Sequence, residues 1–164
     1  MLKDPEIEFR FLSKLMGFVL PNRVSKFMPL LKSSNNPAFA DEIKDLTLES
    51  FIGMIKDHVH KVIHDPLISR SRRVLVIEQF ANEQLRDLYN LQSHDYVISF
   101  FKGGVQFFIN KRVLKAFDVD VMAAQLAFPI SNWICAIDRN HEIEGETLEL
   151  IERHIRQFFK VYSS

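Results

Sequence analysis

Glycine, proline and cysteine are all scarce in this chain. Five glycines and six prolines in 164 residues leave few punctuation points, and no Asn-Gly or Asp-Gly pair is present to close a two-residue hairpin. A sheet of short strands joined by tight turns is therefore not expected. The single cysteine, Cys135, excludes a disulfide within the chain. That fits a reducing compartment, where a lone thiol in an apolar stretch behaves as a small hydrophobe. Net charge is also missing, because Lys plus Arg and Asp plus Glu number 21 each. A chain that grips a phosphate backbone unaided normally carries a basic excess, so this one is not expected to hold nucleic acid by itself. No apolar run approaches the ~20 residues of a membrane-crossing helix. Lys3, Asp4, Glu6, Glu8 and Arg10 break up any apolar leader. The expected location is the cytoplasm, with no membrane partner.

Catalytic signatures are absent too. There is no Gly-x-Ser-x-Gly elbow, no phosphate-cradling glycine loop and no Cys-x-x-Cys pair. His94 and Asp95 adjoin Ser93, but neighbours along a helix do not face one another. An enzyme is not expected, and no cofactor is implied.

What the chain does have is phenylalanine, fifteen against three Tyr and one Trp, together with helical periodicity. The fold class expected is all-α, a bundle of about six to eight helices. Residues 1–46 read as an N-terminal helical segment and 47–164 as the main unit, within one compact domain. In the first part, Glu6 to Leu20 is a short helix with Phe9, Leu12, Met16 and Phe18 apolar. Arg23 to Lys32 is an irregular second piece, Ser33 to Pro37 a loop, and Pro37 to Asp45 a short continuation. Thr47 to His64 is the cleanest helix, with Thr47 as N-cap and a stripe of Leu48, Phe51, Ile52, Ile55, Val59, Val62 and Ile63. Asp65-Pro66 stops it.

Ile68 to Leu91 predicts a helix interrupted near Asn82, with core positions Leu75, Phe80, Leu85 and Leu88. The cluster Arg70, Arg72 and Arg73 at its start is expected to be solvated. Ser93 is placed as the cap of a phenylalanine-rich helix running to Phe117, and Gly103-Gly104 in its middle predicts a kink first, or else the close approach of another backbone or a ligand. Asp118 to Ala136 is apolar on nearly every side, and a helix greasy all round needs several neighbours. Glu144 to Tyr162 is amphipathic, with Leu148, Ile151, Ile155, Phe158 and Tyr162 at steps of three and four. The two form a terminal hairpin connected through Asp138 to Glu144.

Asp57, His60 and His64 fall on one face of the Thr47 helix, with the spacing that metal ligands use. At 100° per residue that face lies opposite the apolar stripe and points to solvent, so no metal is expected there.

Three stretches resemble one known family. Arg73 to Asn90 reads RVLVIEQFANEQLRDLYN, an apolar run and a Glu leading into a broken helix with a late Leu and Tyr. In Asp118 to Ile137 an Asp precedes an Ala-Ala pair and a long apolar stretch. Leu148 to Tyr162 reads LELIERHIRQFFKVY. Together they resemble the C-terminal regulatory domain of tetracycline-repressor-type (TetR family) transcriptional regulators, over about Thr47 to Tyr162. The resemblance implies a ligand-responsive repressor whose last two helices pair with a second copy as a four-helix bundle. Operator DNA would be met only through an N-terminal helix-turn-helix, and residues 1–32 contain no match to one.

The resemblance implies a homodimer, with Ala123, Ala124 and Ala127 allowing close helix approach and Ile130, Ile151, Ile155, Phe159 and Tyr162 adding buried area at the seam. It also favours a small apolar or aromatic effector held against Phe100, Phe101, Phe107 and Phe108, together with Met122, Phe128 and Trp133. Gln125, Asn132 or His154 would orient it. The same residues also suit a filled core, and a stand-alone homodimeric interaction module without ligand is the alternative function.

Overall fold

The computed structural model describes residues 46–164. The helices and loop expected between Glu6 and Asp45 lie outside the described residues. Six α-helices follow: α1 Leu48–His64, α2 Pro66–Glu78, α3 Glu83–Asn90, α4 Tyr96–Asn110, α5 Val119–Arg139 and α6 Glu144–Tyr162. A π-helical turn, Leu91–Asp95, joins α3 directly to α4, and a 3-10 turn, His141–Ile143, leads into α6. Counted as continuous rods, the described residues give five, fewer than the six to eight expected. There is no strand among them, only an isolated bridge between Leu114 and Ser163.

The helix boundaries follow from local chemistry. The Thr47 side chain accepts from the Ser50 backbone N–H, and the Ser50 side chain accepts from the Thr47 N–H, a reciprocal capping box. Asp65 ends α1 and caps α2 by accepting from the Leu67 and Ile68 N–H groups, with Pro66 at the first helical position where no N–H is needed. Asn82 caps α3, accepting from Gln84 and Leu85, which is the expected interruption. Asp118 caps α5 in the same way.

Two local expectations are corrected, and the reading of the glycine pair is sharpened. Ser93 caps nothing, because the π turn carries the chain from α3 into α4 without an end to cap. Phe80 is 89% exposed, because it lies in the turn that separates α2 from α3. The glycine pair does not break α4. A Cβ on Gly104 would come within 2.8 Å of the Phe51 ring, so that glycine serves close approach between α4 and α1.

The core centres on Phe51. Its ring meets Phe100, Phe101, Phe108 and Phe159 at centroid separations of 5.6–6.3 Å, mostly edge-on or tilted. Such pairs each add about 0.5–1.5 kcal/mol beyond the area they bury. Around this centre α5 packs against α1, α4 and α6, and α1 also meets α6. By length and composition α5 is the one described helix that suits a membrane span. Here it is the central helix of the bundle.

The residues expected at a dimer seam are covered within the chain itself. Ala123, Ala127, Ile151 and Ile155 have no exposed surface, and Ile130 and Phe159 are likewise buried. Helices α1 and α4 of the same chain cover them, so a second copy would have nothing of them left to bury. The outward residues of the hairpin are instead Val121, Gln125, Phe128 and Asn132 on α5, and Leu150, Gln157 and Val161 on α6. Tyr162 is half-buried; its ring packs on Phe117 and Phe158, and its hydroxyl donates to Gln125 Oε1 at 2.7 Å.

Pro129 sits inside α5 and has no N–H for the Gln125 carbonyl four residues earlier. His154 Nε2, reaching from α6, donates to that carbonyl at 3.1 Å, and its ring stands edge-on to Trp133 at 5.3 Å. At the other edge of the bundle, Arg156 donates two bonds to Glu49, at 2.6 and 2.7 Å, and also pairs with Glu152. Lys56 adds a further bond to Glu152. These cations hold the Glu49 and Glu152 carboxyls below their ordinary range, while the two carboxylates raise Arg156.

Candidate functional site

A cavity of about 190 Å³ lies between α1, α2, the π turn, α4 and α5. Its walls are mainly apolar: Ile55, Val59 and Val62 from α1, Ile68 and Leu75 from α2, Phe100 and Phe101 from α4, Ile130 and Ile134 from α5. Helical periodicity places them, since each of these helices turns its buried stripe inward.

Besides the hydroxyls of Ser71, Tyr89, Ser93, Tyr96 and Ser131, two titratable nitrogen-bearing side chains, His58 and Arg72, stand in this wall. His58 comes from α1, on the line Phe51, Ile55, His58, Val62 that a helix repeats at steps of four and three. Its Nδ1 is sealed from water and has no hydrogen-bond partner. Burial, with the nearby positive charges of Lys61 and Arg72, pushes the imidazole from its ordinary 6.5 down to about 4. It is therefore neutral at pH 7. Arg72 comes from α2, on the line Ile68, Arg72, Leu75. Its two terminal nitrogens form a fork on the Asp138 carboxylate, with Nη2 donating to Oδ1 at 2.6 Å and Nη1 donating to Oδ2. The pair is largely buried, and Arg72 Nε is sealed without a partner.

This arrangement is unusual because the charges are already neutralised. Asp138 answers the guanidinium and His58 is uncharged, so the polar end of the cavity has no net charge to offer an ion. Its polar side chains are those of neutral His58, of Arg72 paired with Asp138, and of Tyr89, Ser93, Tyr96 and Ser131, while Arg72 Nε and His58 Nδ1 lie buried behind the wall without a partner. Leaving such groups buried and unpaired costs about 1–3 kcal/mol each. Ser71, by contrast, is satisfied, donating to the Leu67 carbonyl at 2.7 Å.

Of the pocket residues predicted from sequence, Phe100 and Phe101 line this cavity. Phe108 and Met122 are buried elsewhere in the core, with Phe108 against Phe51 and Phe159. Gln125 is at the surface holding Tyr162, and Trp133 lies against His154. The orienting roles given to Gln125, Asn132 and His154 therefore fall away from the cavity, because these three belong to the outer side of the hairpin. The arginine cluster at the start of α2 divides. Arg70 and Arg73 are exposed as expected, whereas Arg72 is drawn inward by Asp138, 66 residues away in sequence. His58 and Arg72 were each legible as a polar residue falling on an apolar line of its own helix.

No family model, curated protein or solved structure matches the chain.

Proposed function

We propose that this domain binds a small, uncharged, largely apolar molecule carrying one polar group, and that it acts as the effector-binding and dimerisation domain of a TetR-like transcriptional regulator. The observation that supports binding is a mainly apolar cavity whose wall includes His58 and Arg72, two side chains that each hold one buried, unpartnered nitrogen. A filled core does not retain orphaned nitrogens at a void. The volume sets a scale for the ligand: an apolar cavity of about 150 Å³ accepts benzene, so about 190 Å³ holds one ring with a short substituent, and the open mouth leaves room for a longer tail. A hydroxyl fits the polar end best. Where either side chain turns its unpartnered nitrogen to the cavity, a hydroxyl can accept from Arg72 Nε–H, and it can donate to or accept from His58 according to which ring nitrogen holds the proton.

Binding would act on the bundle because the cavity is walled by α1, α2, α4 and α5 together. A ligand that suits one spacing of these helices better than another shifts the balance by that difference in affinity, and by no more. In this reading a second copy docks on the outer side of the terminal hairpin, over Val121, Phe128, Leu150 and Val161. These are 52%, 50%, 37% and 64% exposed. Operator DNA would be met through a helix-turn-helix outside residues 46–164.

The test is a thermal-shift and calorimetric panel of matched pairs, such as ethylbenzene against benzyl alcohol. Satisfying an orphaned nitrogen favours the hydroxyl compound by about tenfold or more. The interaction module without ligand, supported by the same exposed stripe, predicts a dimer that binds neither member of a pair.

A further inference from the structure

The outer side of α1 carries a second constellation. His60 and His64 stand one turn apart with ring centroids separated by 4.3 Å. The chain returns to this place 80 residues later, where α6 begins, and Glu144 Oε1 lies 2.7 Å from His64 Nε2. One ligand atom from each of His60, His64 and Glu144 falls within 4.8 Å of the other two. The acidic partner is therefore Glu144, not the Asp57 that shares the helix face in sequence.

Three donors bound tetrahedrally to zinc at ~2.0–2.1 Å stand roughly 3.3 Å apart. The cluster already brackets that spacing; His60 and His64 are exposed and Glu144 is partly exposed, so modest side-chain rotations close it around an ion. An ion pair between His64 and Glu144 accounts for one contact, is exposed, and gives His60 no role. Two imidazoles and a carboxylate suit zinc, cobalt or nickel over magnesium or calcium, which prefer all-oxygen sites.

We propose that His60, His64 and Glu144 bind a zinc-class transition-metal ion, with water in the remaining position. The ion ties the last turn of α1 to the first turn of α6. Val59 and Val62, on the inner side of the same stretch of α1, line the cavity, so the brace stiffens one cavity wall from behind. This site is independent of whether the cavity takes a ligand.

The full chain, carrying no histidine tag and freed of metal by chelation, is titrated with zinc chloride by calorimetry and with cobalt chloride by visible absorbance. One ion binds per chain, with a dissociation constant on the order of 1–10 μM, weaker than closed four-ligand sites. Zinc raises the melting temperature. His60→Ala and Glu144→Gln each weaken binding by at least the roughly 10–100-fold that losing a mere outer-shell partner costs, and abolish the thermal shift. Asp57→Asn changes neither. Circular dichroism in chelator checks that the variants fold like the parent, as these surface positions permit. Absence of binding below roughly 100 μM, unchanged affinity in the His60→Ala/Glu144→Gln double variant, or a loss in Asp57→Asn as large as in Glu144→Gln each overturns the assignment.

Discussion

Acidification from pH 7 to pH 4 is predicted to destabilise the domain through His58, and His58→Leu to remove that part of the loss. The folded imidazole titrates near 4, against 6.5 for the unfolded chain, chiefly because burial penalises its charged form. Between those two values the unfolded chain takes up a proton that the folded chain refuses. Stability therefore falls as pH falls through this window, with the loss complete below about 4. At 1.36 kcal/mol per pH unit over that interval the ceiling is about 3 kcal/mol, and partial solvent access lowers it. Leucine fills a similar volume without a ring nitrogen to desolvate, so at pH 7 the variant should equal or exceed the parent by about 1 kcal/mol. Urea unfolding by far-UV circular dichroism at pH 7, 6, 5 and 4.5 gives both curves. Glu49 and Glu152, whose carboxyls are held low, add a loss of the same sign at lower pH in both proteins, so the parent-minus-variant difference isolates His58. Parallel curves between pH 6.5 and 4.5 would refute the reasoning.

Further predictions follow from packing. Gly104→Ala gains about 1 kcal/mol of helix propensity but drives a methyl into Phe51, which four other rings hold in place. Overpacking of about 1–3 kcal/mol makes the net effect destabilising in thermal unfolding. His154→Ala leaves the Gln125 carbonyl, already without a helical donor because of Pro129, with no partner; a loss of about 1 kcal/mol is expected by urea titration. Arg112 holds a left-handed backbone at φ 59° just after α4, so Arg112→Gly should raise stability by up to about 1 kcal/mol despite the added chain entropy. Phe128→Asp should shift native mass spectra at micromolar concentration from dimer to monomer, while an unchanged dimer would remove the outer hairpin face as the seam.

The helical architecture was legible because its signals are local. Thr47 was readable as a cap, and the breaks at Asp65-Pro66 and Asn82 were readable as boundaries, because each rests on bonds to residues two or three positions away; that Asp65, Asn82 and Asp118 cap the helices that follow was added by the structure. What covers the hairpin was not, because Ile151, Ile155 and Ala123 look equally apolar whether covered by another copy or by the rest of the same chain, and periodicity cannot name the covering partner. The same limit hid the cavity's polar end. His58 and Arg72 interrupt apolar lines, a readable sign, but Arg72 turns inward only because Asp138 arrives from α5. Glu144 likewise reaches His64 only once the hairpin has folded back on α1.

The central claim is that the His58 and Arg72 cavity recognises a neutral polar group within an apolar ligand. Arg72→Lys tests it most directly, because lysine keeps a cation for Asp138 yet lacks the Nε–H donor. Calorimetric titration of benzyl alcohol and ethylbenzene into the parent and this variant gives the four affinities needed. The account predicts that the roughly tenfold or greater preference for the alcohol collapses towards unity in the variant, while ethylbenzene affinity is held. An equal preference in both proteins, or no binding of either compound to the parent, would contradict it.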